Sequence, residues 1–424
     1  MDVPIEIYQL ILIRSDFLTQ IRIRCVNKTF YQRLEIHDFL NIDKKHSELL
    51  SDDILRTYPF IRLLNASWNG EITDINYLTK LEVLNAMCSN INDESIRNLN
   101  LKELDADYNS GITNVNHMTK LEVLSVKWGC GIDDKGIRNL NLKKLYVDGN
   151  PKISNVNHMT NLEILSANYD CRIDNQGISK LNLRRLHAMN NPKITDVCHM
   201  DKLEILDASY KCGINNDSIL NANLKALDIS DNPKITSVGH LTNLEILRAS
   251  VSYGNICNLT NAHITSLNVE ILDVNGNSNI TNVNHMTKLE ILYASGKCGI
   301  DDAGIAELNL RELRVGSNPK ITNICHMNKL ETLHAWGDCG IGSEGIPCHN
   351  LTELNASTNP KITNVNHLTK LEILHADNPE CGIDGTGIAD HNLRELYASL
   401  NPKITKPSNL RKIGSANNFP YGKN

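Results

Sequence analysis

The sequence has no long hydrophobic run. Its longest apolar stretch near the start is interrupted by Glu6, Gln9 and Arg14, whereas a membrane-spanning helix needs about 20 consecutive apolar residues. We therefore expect neither a secretory signal nor a membrane span. An excess of positive charge is also missing, because the formal net charge is -6, and nothing in the sequence points to a nucleic-acid partner. The expectation is a protein of the cytoplasm, or alternatively of the nucleus.

The motifs that usually carry catalysis are missing as well. The sequence contains no glycine-rich phosphate loop, no nucleophile elbow and no HExxH pair. Carboxylate pairs such as Asp133-Asp134 and Asp301-Asp302 do occur, but they return together with the surrounding sequence. We expect no cofactor and no enzymatic activity.

What the sequence does have is a repeat. The segment NPKITNVNHLTKLEIL begins at Asn359, close copies begin at Asn150, Asn191, Asn232 and Asn318, and looser copies begin at Asn109 and Asn277. Each copy carries one histidine, and the steps between successive histidines are 41, 41, 41, 45, 41 and 41 residues. These histidines are His117, His158, His199, His240, His285, His326 and His367. A fixed internal period predicts one elongated array instead of several separate domains.

Each period contains the same pattern twice: leucine, two residues, leucine, one residue, and a small apolar residue. The pattern occurs seventeen times, mostly 20 or 21 residues apart. Its leading positions are Ile61, Leu81, Leu101, Leu121, Leu142, Leu162, Leu183, Leu203, Leu224, Leu244, Val269, Leu289, Leu310, Leu330, Leu351, Leu371 and Leu393. The alternation indicates a short strand with one buried face, and a strand at this period is typical of a solenoid.

This pattern resembles the leucine-rich-repeat family. The resemblance covers residues 61–409, and a partial repeat with a C-terminal tail follows at 410–424. It implies an α/β solenoid, a horseshoe with a parallel β-sheet.

Two subtypes of repeat alternate along the chain. The units are counted from the one that begins at Ile61, which is therefore the first odd unit. In the odd units the ninth residue is asparagine, and the resemblance implies that its side chain caps backbone groups left open where the strand turns. These residues are Asn69, Asn109, Asn150, Asn191, Asn232, Asn277, Asn318, Asn359 and Asn401. The even units carry a cysteine near that position, at Cys130, Cys171, Cys212, Cys298, Cys339 and Cys381. We expect these thiols to be reduced and structural.

Charges alternate in the same way. The residue after the leading position is glutamate in even units, such as Glu82, and lysine or arginine in most odd units, such as Lys102. Stacking predicts that opposite charges face each other along the sheet. Glu270 is the exception, and it follows the irregular unit 244–268. The extra residues of that unit are interpreted as a tolerated loop insertion, with a binding loop as the alternative.

The repeated histidines do not predict a metal site. They recur in every second unit, so neighbours should lie about 10 Å apart, whereas two ligands of one zinc ion both lie about 2 Å from it. We expect each histidine to be structural, with a hydrogen bond to the neighbouring turn.

Residues that do not repeat on the exposed side of the sheet are the candidates for partner binding. Aromatic and arginine side chains are enriched in protein interfaces. The predicted partner-binding residues are Trp128, Tyr169, Tyr210, Arg248, Tyr293, Arg314, His334, Trp336, His375 and Tyr397. The alternative for any one of them is that it only covers or edges the sheet.

Residues 1–42 lack the repeat and predict three short helices, with Asn27 as the cap of the third. Residues 43–60 are interpreted as a linker or N-terminal cap. The first segment resembles an F-box, on the basis of Val3-Pro4, Glu6-Ile7, and the run from Ile21 to Phe30. It departs from that motif in having valine before the proline, in the order of Cys25 and Val26, and in having Phe30 where tryptophan is common.

An F-box followed by asparagine- and isoleucine-rich repeats is similar to the F-box and leucine-rich-repeat proteins of giant viruses that infect amoebae. The resemblance implies docking to a Skp-type adaptor of a cullin ubiquitin ligase, with an unknown protein target on the repeats. The implied adaptor contacts are Pro4, Ile7, Leu10, Ile11, Ile21, Val26 and Phe30. The alternative function is a repeat scaffold or regulator without a ligase, in which the N-terminal helices serve only as a cap. In both cases we expect a monomer outside its complexes.

Overall fold

The computed structural model describes residues 5–13, 17–42, 44–220, 222–347, 350–391 and 393–404. The chain divides into two compact units, Met1–Leu203 and Glu204–Asn424. They are called the first and the second unit below, and each is described by itself.

The first unit begins with three short helices, α1 (Ile5–Ile13), α2 (Phe17–Arg24) and α3 (Lys28–Arg33). Helix α3 starts at its predicted cap, because the Asn27 side chain accepts a hydrogen bond from the Phe30 amide at 2.8 Å. The Gln9 side chain donates to the Glu35 carbonyl and accepts from the Glu35 amide, both at 2.9 Å. This pair of bonds fastens α1 to the segment that follows α3.

That segment enters the sheet before the first repeat. Strand β1 (Asp38–Phe39) pairs in parallel with β2 (Leu63–Asn65), and helices α4 (Lys44–Ser47) and α5 (Asp52–Arg56) lie between them in sequence. The Asp52 carboxylate accepts hydrogen bonds from the Thr73 amide at 2.8 Å and the Thr73 hydroxyl at 2.7 Å. Residues 38–56 are thus bonded to the first repeat in the way that one repeat is bonded to the next.

Every leucine pattern forms one three-residue strand. The first unit continues with β3 (Val83–Asn85), β4 (Glu103–Asp105), β5 (Val123–Ser125), β6 (Lys144–Tyr146), β7 (Ile164–Ser166) and β8 (Arg185–His187). The second unit has β9 (Ile205–Asp207), β10 (Ala226–Asp228), β11 (Ile246–Arg248), β12 (Ile271–Asp273), β13 (Ile291–Tyr293), β14 (Glu312–Arg314), β15 (Thr332–His334), β16 (Glu353–Asn355), β17 (Ile373–His375) and β18 (Glu395–Tyr397). Within each unit, consecutive strands pair in parallel and in register. The predicted parallel-sheet solenoid of about seventeen turns is confirmed.

The strand pattern fixes which residues face outward. The central leucine of each strand is buried, and so is the small apolar residue that follows the strand. Because side chains alternate along a strand, the residues before and after the central leucine point away from the core. They are called the first and the second outward position.

Short helices return the chain from one strand to the next in several even units. Three are α-helical, namely α6 (Asp93–Ile96), α7 (Asn175–Ile178) and α8 (Asn261–Ile264). Four are 3-10 helices, at Asp217–Ile219, Ala303–Ile305, Ser343–Gly345 and Thr386–Ile388. Gly304 opens one of these tight turns, and a Cβ atom there would lie 2.1 Å from the Thr281 carbonyl oxygen. Only glycine allows this approach of two successive turns.

The asparagines of the odd units cap the turns as predicted. Asn318 is fully buried, and its side-chain amide donates to the carbonyls of Ala294 at 2.9 Å and Ile300 at 3.2 Å. Its side-chain oxygen accepts from the Lys320 amide at 3.0 Å. One side chain therefore satisfies three buried backbone groups.

The cysteine of the even units fills the core beside this cap. Cys298 is fully buried, and burial raises the pKa of its thiol to about 11. Within the described part of the chain, all eleven cysteines are free thiols.

The predicted charge ladder is also present. The Lys102 ammonium lies 2.6 Å from the Glu82 carboxylate, which also accepts from Arg62 Nε at 2.7 Å. These hydrogen bonds, from Lys102 first and then Arg62, lower the pKa of Glu82. Equivalent pairs join Lys143 to Glu122, Lys225 to Glu204, Arg311 to Glu290 and Arg394 to Glu372. Exposed pairs of this kind contribute about 0.2–1 kcal/mol each.

The repeated histidines are structural, as predicted. His158 Nε2 lies 3.2 Å from the carbonyl oxygen of Ile137 in the preceding unit. The same bond recurs at His117, His199, His240, His285 and His326.

Candidate partner-binding site

Five of the predicted partner-binding residues form one surface in the second unit. Tyr293, Arg314, His334, His375 and Tyr397 all occupy second outward positions on strands β13 to β18, and the strand register places them in one row. Asn355 fills the remaining place in the row. This row, with its flanking residues, is called the C-terminal surface.

Arg314 is held between an aromatic ring and a carboxylate. Its guanidinium carbon lies 4.6 Å from the centre of the Tyr293 ring, and its Nε donates to Glu312 Oε1 at 2.7 Å. A partly desolvated guanidinium over a tyrosine face is stabilised by about 0.5–2 kcal/mol. Arg314 is therefore positioned before any partner arrives.

His334 is the most deeply buried residue of the row. It is only 7% exposed, and burial, with smaller effects of Arg314 and His375, lowers the pKa of its imidazole to about 4. The Glu353 carboxylate lies 3.8 Å from Nε2, which is too far for a hydrogen bond that would offset burial. The imidazole is thus neutral at pH 7.

The last two strands carry a stacked pair. The rings of His375 and Tyr397 lie 4.3 Å apart with an angle of 5° between their planes. The Tyr397 hydroxyl donates to Glu395 Oε2 at 2.7 Å, and this bond raises the pKa of the tyrosine. Burial lowers the pKa of the His375 imidazole.

The sequence analysis missed the three glutamates that support this surface. Glu312, Glu353 and Glu395 occupy first outward positions in alternate strands, two residues before the row. Their regular placement in odd units was a signal that could have revealed them. Glu312 accepts a hydrogen bond from Arg314 and Glu395 accepts one from Tyr397, whereas Glu353 only faces His334.

The other predicted residues of the second unit are not part of that row. Trp336 follows strand β15 and is 40% exposed. Its indole lies against Gly316, where a Cβ atom would come within 2.2 Å of the ring. Arg248 lies on β11, and its register partners are Asp228 on β10 and Asp273 on β12. Tyr210 is exposed and follows β9.

Trp128 and Tyr169 belong to an aromatic strip in the first unit. The ring of Trp128 lies 6.3 Å from that of Tyr108 and 5.1 Å from that of Tyr169, and Trp68 holds the equivalent position earlier in the chain. All four residues have left-handed backbone conformations, with φ between 54° and 60°. This conformation is unfavourable for bulky side chains. Equivalent positions of the second unit carry Tyr210 as well as small or polar residues and glycines, such as Ser317, Gly276 and Gly296.

The sheet of the first unit also has an open recess of about 320 Å³ on its outward side. Val83 and Val123 form its apolar wall, and Glu103, Asp105 and Lys127 contribute charge. Burial raises the pKa of Asp105. The volume is at the lower end of the range of small-molecule sites, about 300–1,000 Å³.

The predicted adaptor contacts lie on the N-terminal helices as far as these are described. Ile7 on α1 is 45% exposed and Val26 after α2 is 67% exposed. Ile21 and Phe30 are half-buried, and the Phe30 ring packs 4.5 Å from the ring of Tyr8. Pro4 and the side chains of Leu10 and Ile11 lie outside the described part of the structure.

No group of three or more His, Cys, Asp or Glu side chains among the described residues is placed to bind a metal ion. None of the helices in the described ranges combines the length and the apolarity needed to cross a membrane.

No protein-family model and no curated protein sequence matches the chain. Solved structures with a similar fold include an internalin, InlF of Listeria monocytogenes, at 19% identity over 78% of this chain and 88% of that one, with a TM-score of 0.35. The functional domain of InlJ from the same organism, which includes a cysteine ladder, matches at 21% identity over 80% and 73%, with a TM-score of 0.36. The mouse RP105/MD-1 complex matches at 13% identity over 87% and 62%, with a TM-score of 0.42.

Proposed function

We propose that this chain is a partner-binding protein that serves as the substrate-recognition subunit of a Skp-cullin-F-box ubiquitin ligase. The N-terminal helices dock a Skp-type adaptor, and the outward face of the repeat sheet binds a protein target. Ubiquitin transfer is carried out by other subunits, in the cytoplasm of the host cell of a giant virus. The chain itself is not an enzyme and uses no cofactor.

The observation that carries the binding role is the contrast between the two faces of the strands. The inward residues repeat with little change, and the repeated Asn, Cys and His side chains are buried or hydrogen-bonded within the scaffold. The outward positions vary from strand to strand and bring aromatic, arginine and histidine side chains together on the C-terminal surface. A uniform scaffold with a variable face is what specific recognition of a partner requires.

Two exposed apolar side chains support the adaptor role. Ile7 and Val26 lie on or next to short helices and are turned to solvent, where isolated aliphatic groups gain nothing for the fold. An apolar adaptor surface would cover them.

A second candidate function is a scaffold in which the helices only cap the solenoid. It is favoured by two sets of hydrogen bonds. The Gln9 side chain fastens α1 to Glu35, and the pairing of β1 with β2 fastens the segment after α3 to the first repeat. A terminal cap would need these bonds.

A pull-down with a purified Skp-type adaptor separates the two functions. The intact chain should retain the adaptor, and Ile7→Asp with Val26→Asp should abolish retention, because each change places a charge in an apolar contact. Leu49→Asp is the matched control, since Leu49 is 65% exposed, close to the 67% of Val26, but lies outside helices α1 to α3. Absence of adaptor binding by the intact, folded chain would contradict the ligase function and leave the scaffold.

A further inference from the structure

An apolar stripe crosses the first five strands of the second unit. The first outward positions of β9 to β13 hold Ile205, Ala226, Ile246, Ile271 and Ile291, and the strand register places them side by side. All five side chains are half-buried on the face opposite the core. A contiguous apolar stripe with polar borders is typical of an interaction site.

Carboxylates border this stripe on both sides. At the second outward positions lie Asp207, Asp228 and Asp273, with Arg248 as the one cation of this row on β9 to β13. On the other side, the residues before the strands are Glu204, Lys225, Glu245, Glu270 and Glu290, and the Lys225 ammonium lies 3.5 Å from Glu204. Glu290 lies 3.6 Å from Arg311, whereas Glu245 and Glu270 form no ion pair with any described residue. The border is therefore acidic with too few cations to balance it.

Two of these carboxylates, Asp228 and Asp273, are shielded from water by the surrounding protein. Burial, and then the neighbouring Asp207, raises the pKa of Asp228 to about 6. Burial also raises the pKa of Asp273, although Arg248 opposes the shift. A carboxylate that is desolvated and incompletely paired gains most from a cation supplied by a partner.

The dimensions of this surface select the shape of the partner. The two acidic borders are three residues apart along each strand, which is about 10 Å, close to the diameter of an α-helix, also about 10 Å. The stripe extends over four strand spacings, or about 19 Å, which corresponds to about 13 residues of helix. A helix lying across the strands would reach both borders with the side chains that flank its apolar face.

We propose that this isoleucine surface, formed by the five stripe residues and their acidic borders, binds a basic amphipathic helix of a partner protein. The partner's apolar face covers the isoleucines, and its lysines and arginines meet the carboxylates on each side. The inference rests on the proposed function in one respect, namely that the outward face of the sheet binds the partner. It moves the expected contact from the C-terminal surface, where Arg314 and Tyr397 are bonded to neighbouring glutamates, to the isoleucine stripe, whose five residues the sequence analysis did not single out.

The irregular unit 244–268 contributes further exposed apolar side chains. Its extra residues follow β11, the middle strand of the stripe, and they expose Tyr253 at 98% and Ile256 at 59%. The Lys297 ammonium lies 5.9 Å from the centre of the Tyr253 ring. An exposed tyrosine and isoleucine in the segment that follows this strand are suited to contact a bound partner.

The test uses a fluorescent peptide of leucine and lysine, about 18 residues long so that it covers the stripe as a helix. Its binding to the intact protein is measured by anisotropy at about 0.15 M salt, where remote charges are screened. A peptide of identical composition with a scrambled order should bind at least about tenfold more weakly, because it has no apolar face. Asp228→Asn with Asp273→Asn, and separately Ile246→Ser with Ile271→Ser, should each weaken binding by about tenfold or more.

Glu103→Gln with Asp105→Asn is the matched control, because these carboxylates lie at outward positions of the first unit. This pair should change the affinity by less than about twofold. Equal weakening by the control pair, equal affinity of the scrambled peptide, or no binding by the intact chain would each overturn the inference. Thermal melts show whether each variant is folded. If a variant pair melts at a lower temperature than the intact protein, Glu245→Gln with Glu270→Gln, at exposed sites, is measured in its place. Loss of adaptor binding would contradict the ligase function without affecting this result.

Discussion

Asp228 is the register partner of Asp207 on the neighbouring parallel strand, so two carboxylates face the same side of the sheet. Like charges directly opposite each other destabilise a sheet. Here the cost falls on Asp228, whose pKa is raised to about 6 by burial and by Asp207. The free protein therefore keeps an unfavourable charge on the acidic border of its isoleucine surface.

Asp228→Asn should stabilise the free protein at pH 7. The folded-state pKa is raised above the ordinary value of 3.8, so the favourable contribution of the wild-type carboxyl is complete below about pH 4 and is lost as the pH rises through 6. The variant should gain about 1–3 kcal/mol of unfolding free energy at pH 7 and nothing below pH 4. Urea denaturation at the two pH values measures this. A variant less stable than wild type at pH 7 would show that the carboxylate is compensated.

His334 should give the opposite pH dependence. Its pKa is lowered from 6.5 to about 4 by burial, Arg314 and His375. The neutral imidazole therefore makes its full contribution to folding stability above pH 6.5, and this contribution is lost as the pH falls toward 4. Between pH 7 and 4.5 the wild type should lose about 2–3 kcal/mol more than His334→Gln. Denaturation of both proteins at the two pH values provides the comparison. Parallel losses would mean that Glu353 stabilises the imidazolium after all.

Asn318→Ala should cost about 2–4 kcal/mol, because it leaves two buried carbonyls and one buried amide without a partner. Asn255→Ala is the control, since Asn255 is exposed in the irregular unit, and it should change stability by less than about 0.5 kcal/mol. Chemical denaturation followed by circular dichroism gives both values. Similar midpoints for the two variants would contradict the capping role.

Trp68→Gly should stabilise the first unit, although it removes a tryptophan. Trp68 has φ of 59° and is 72% exposed, so glycine relieves the left-handed backbone while little packing is lost, for a gain of about 0.5–1 kcal/mol. Trp68→Ala keeps the unfavourable conformation and should give no gain. The melting temperature of each variant is measured. Equal melting temperatures for the glycine and alanine variants would show that the left-handed backbone conformation has no cost. If glycine is the better residue for stability, the aromatic strip has another role.

The leucine spacing was sufficient to predict every strand from β2 to β18, because a buried leucine at a fixed period leaves few other ways to stack the units. It also predicted that Lys102 faces Glu82 and that Asn318 caps a turn. Strand β1 was not predicted, since it has two residues and no leucine pattern.

The candidate surfaces were less accessible to sequence reasoning. The residue types of Tyr293, Arg314 and His334 do not show that Glu312 and Glu353 lie beside them, because this contact depends on the register of neighbouring strands. The dehydration of Asp228 depends on what surrounds it in three dimensions. The left-handed backbone at Tyr108 could not be predicted from the sequence, because aromatic residues seldom adopt that conformation.

The most direct test of the partner surface is to map where a basic amphipathic peptide is crosslinked. A peptide carrying a benzophenone on its apolar face is irradiated with the intact protein, and the crosslinked residues are identified by mass spectrometry. If the isoleucine surface binds the helix, crosslinks are expected on β9 to β13 and on the loop around Tyr253. Crosslinks concentrated on the recess of the first unit or on the C-terminal surface, or spread evenly over the chain, would contradict this binding site.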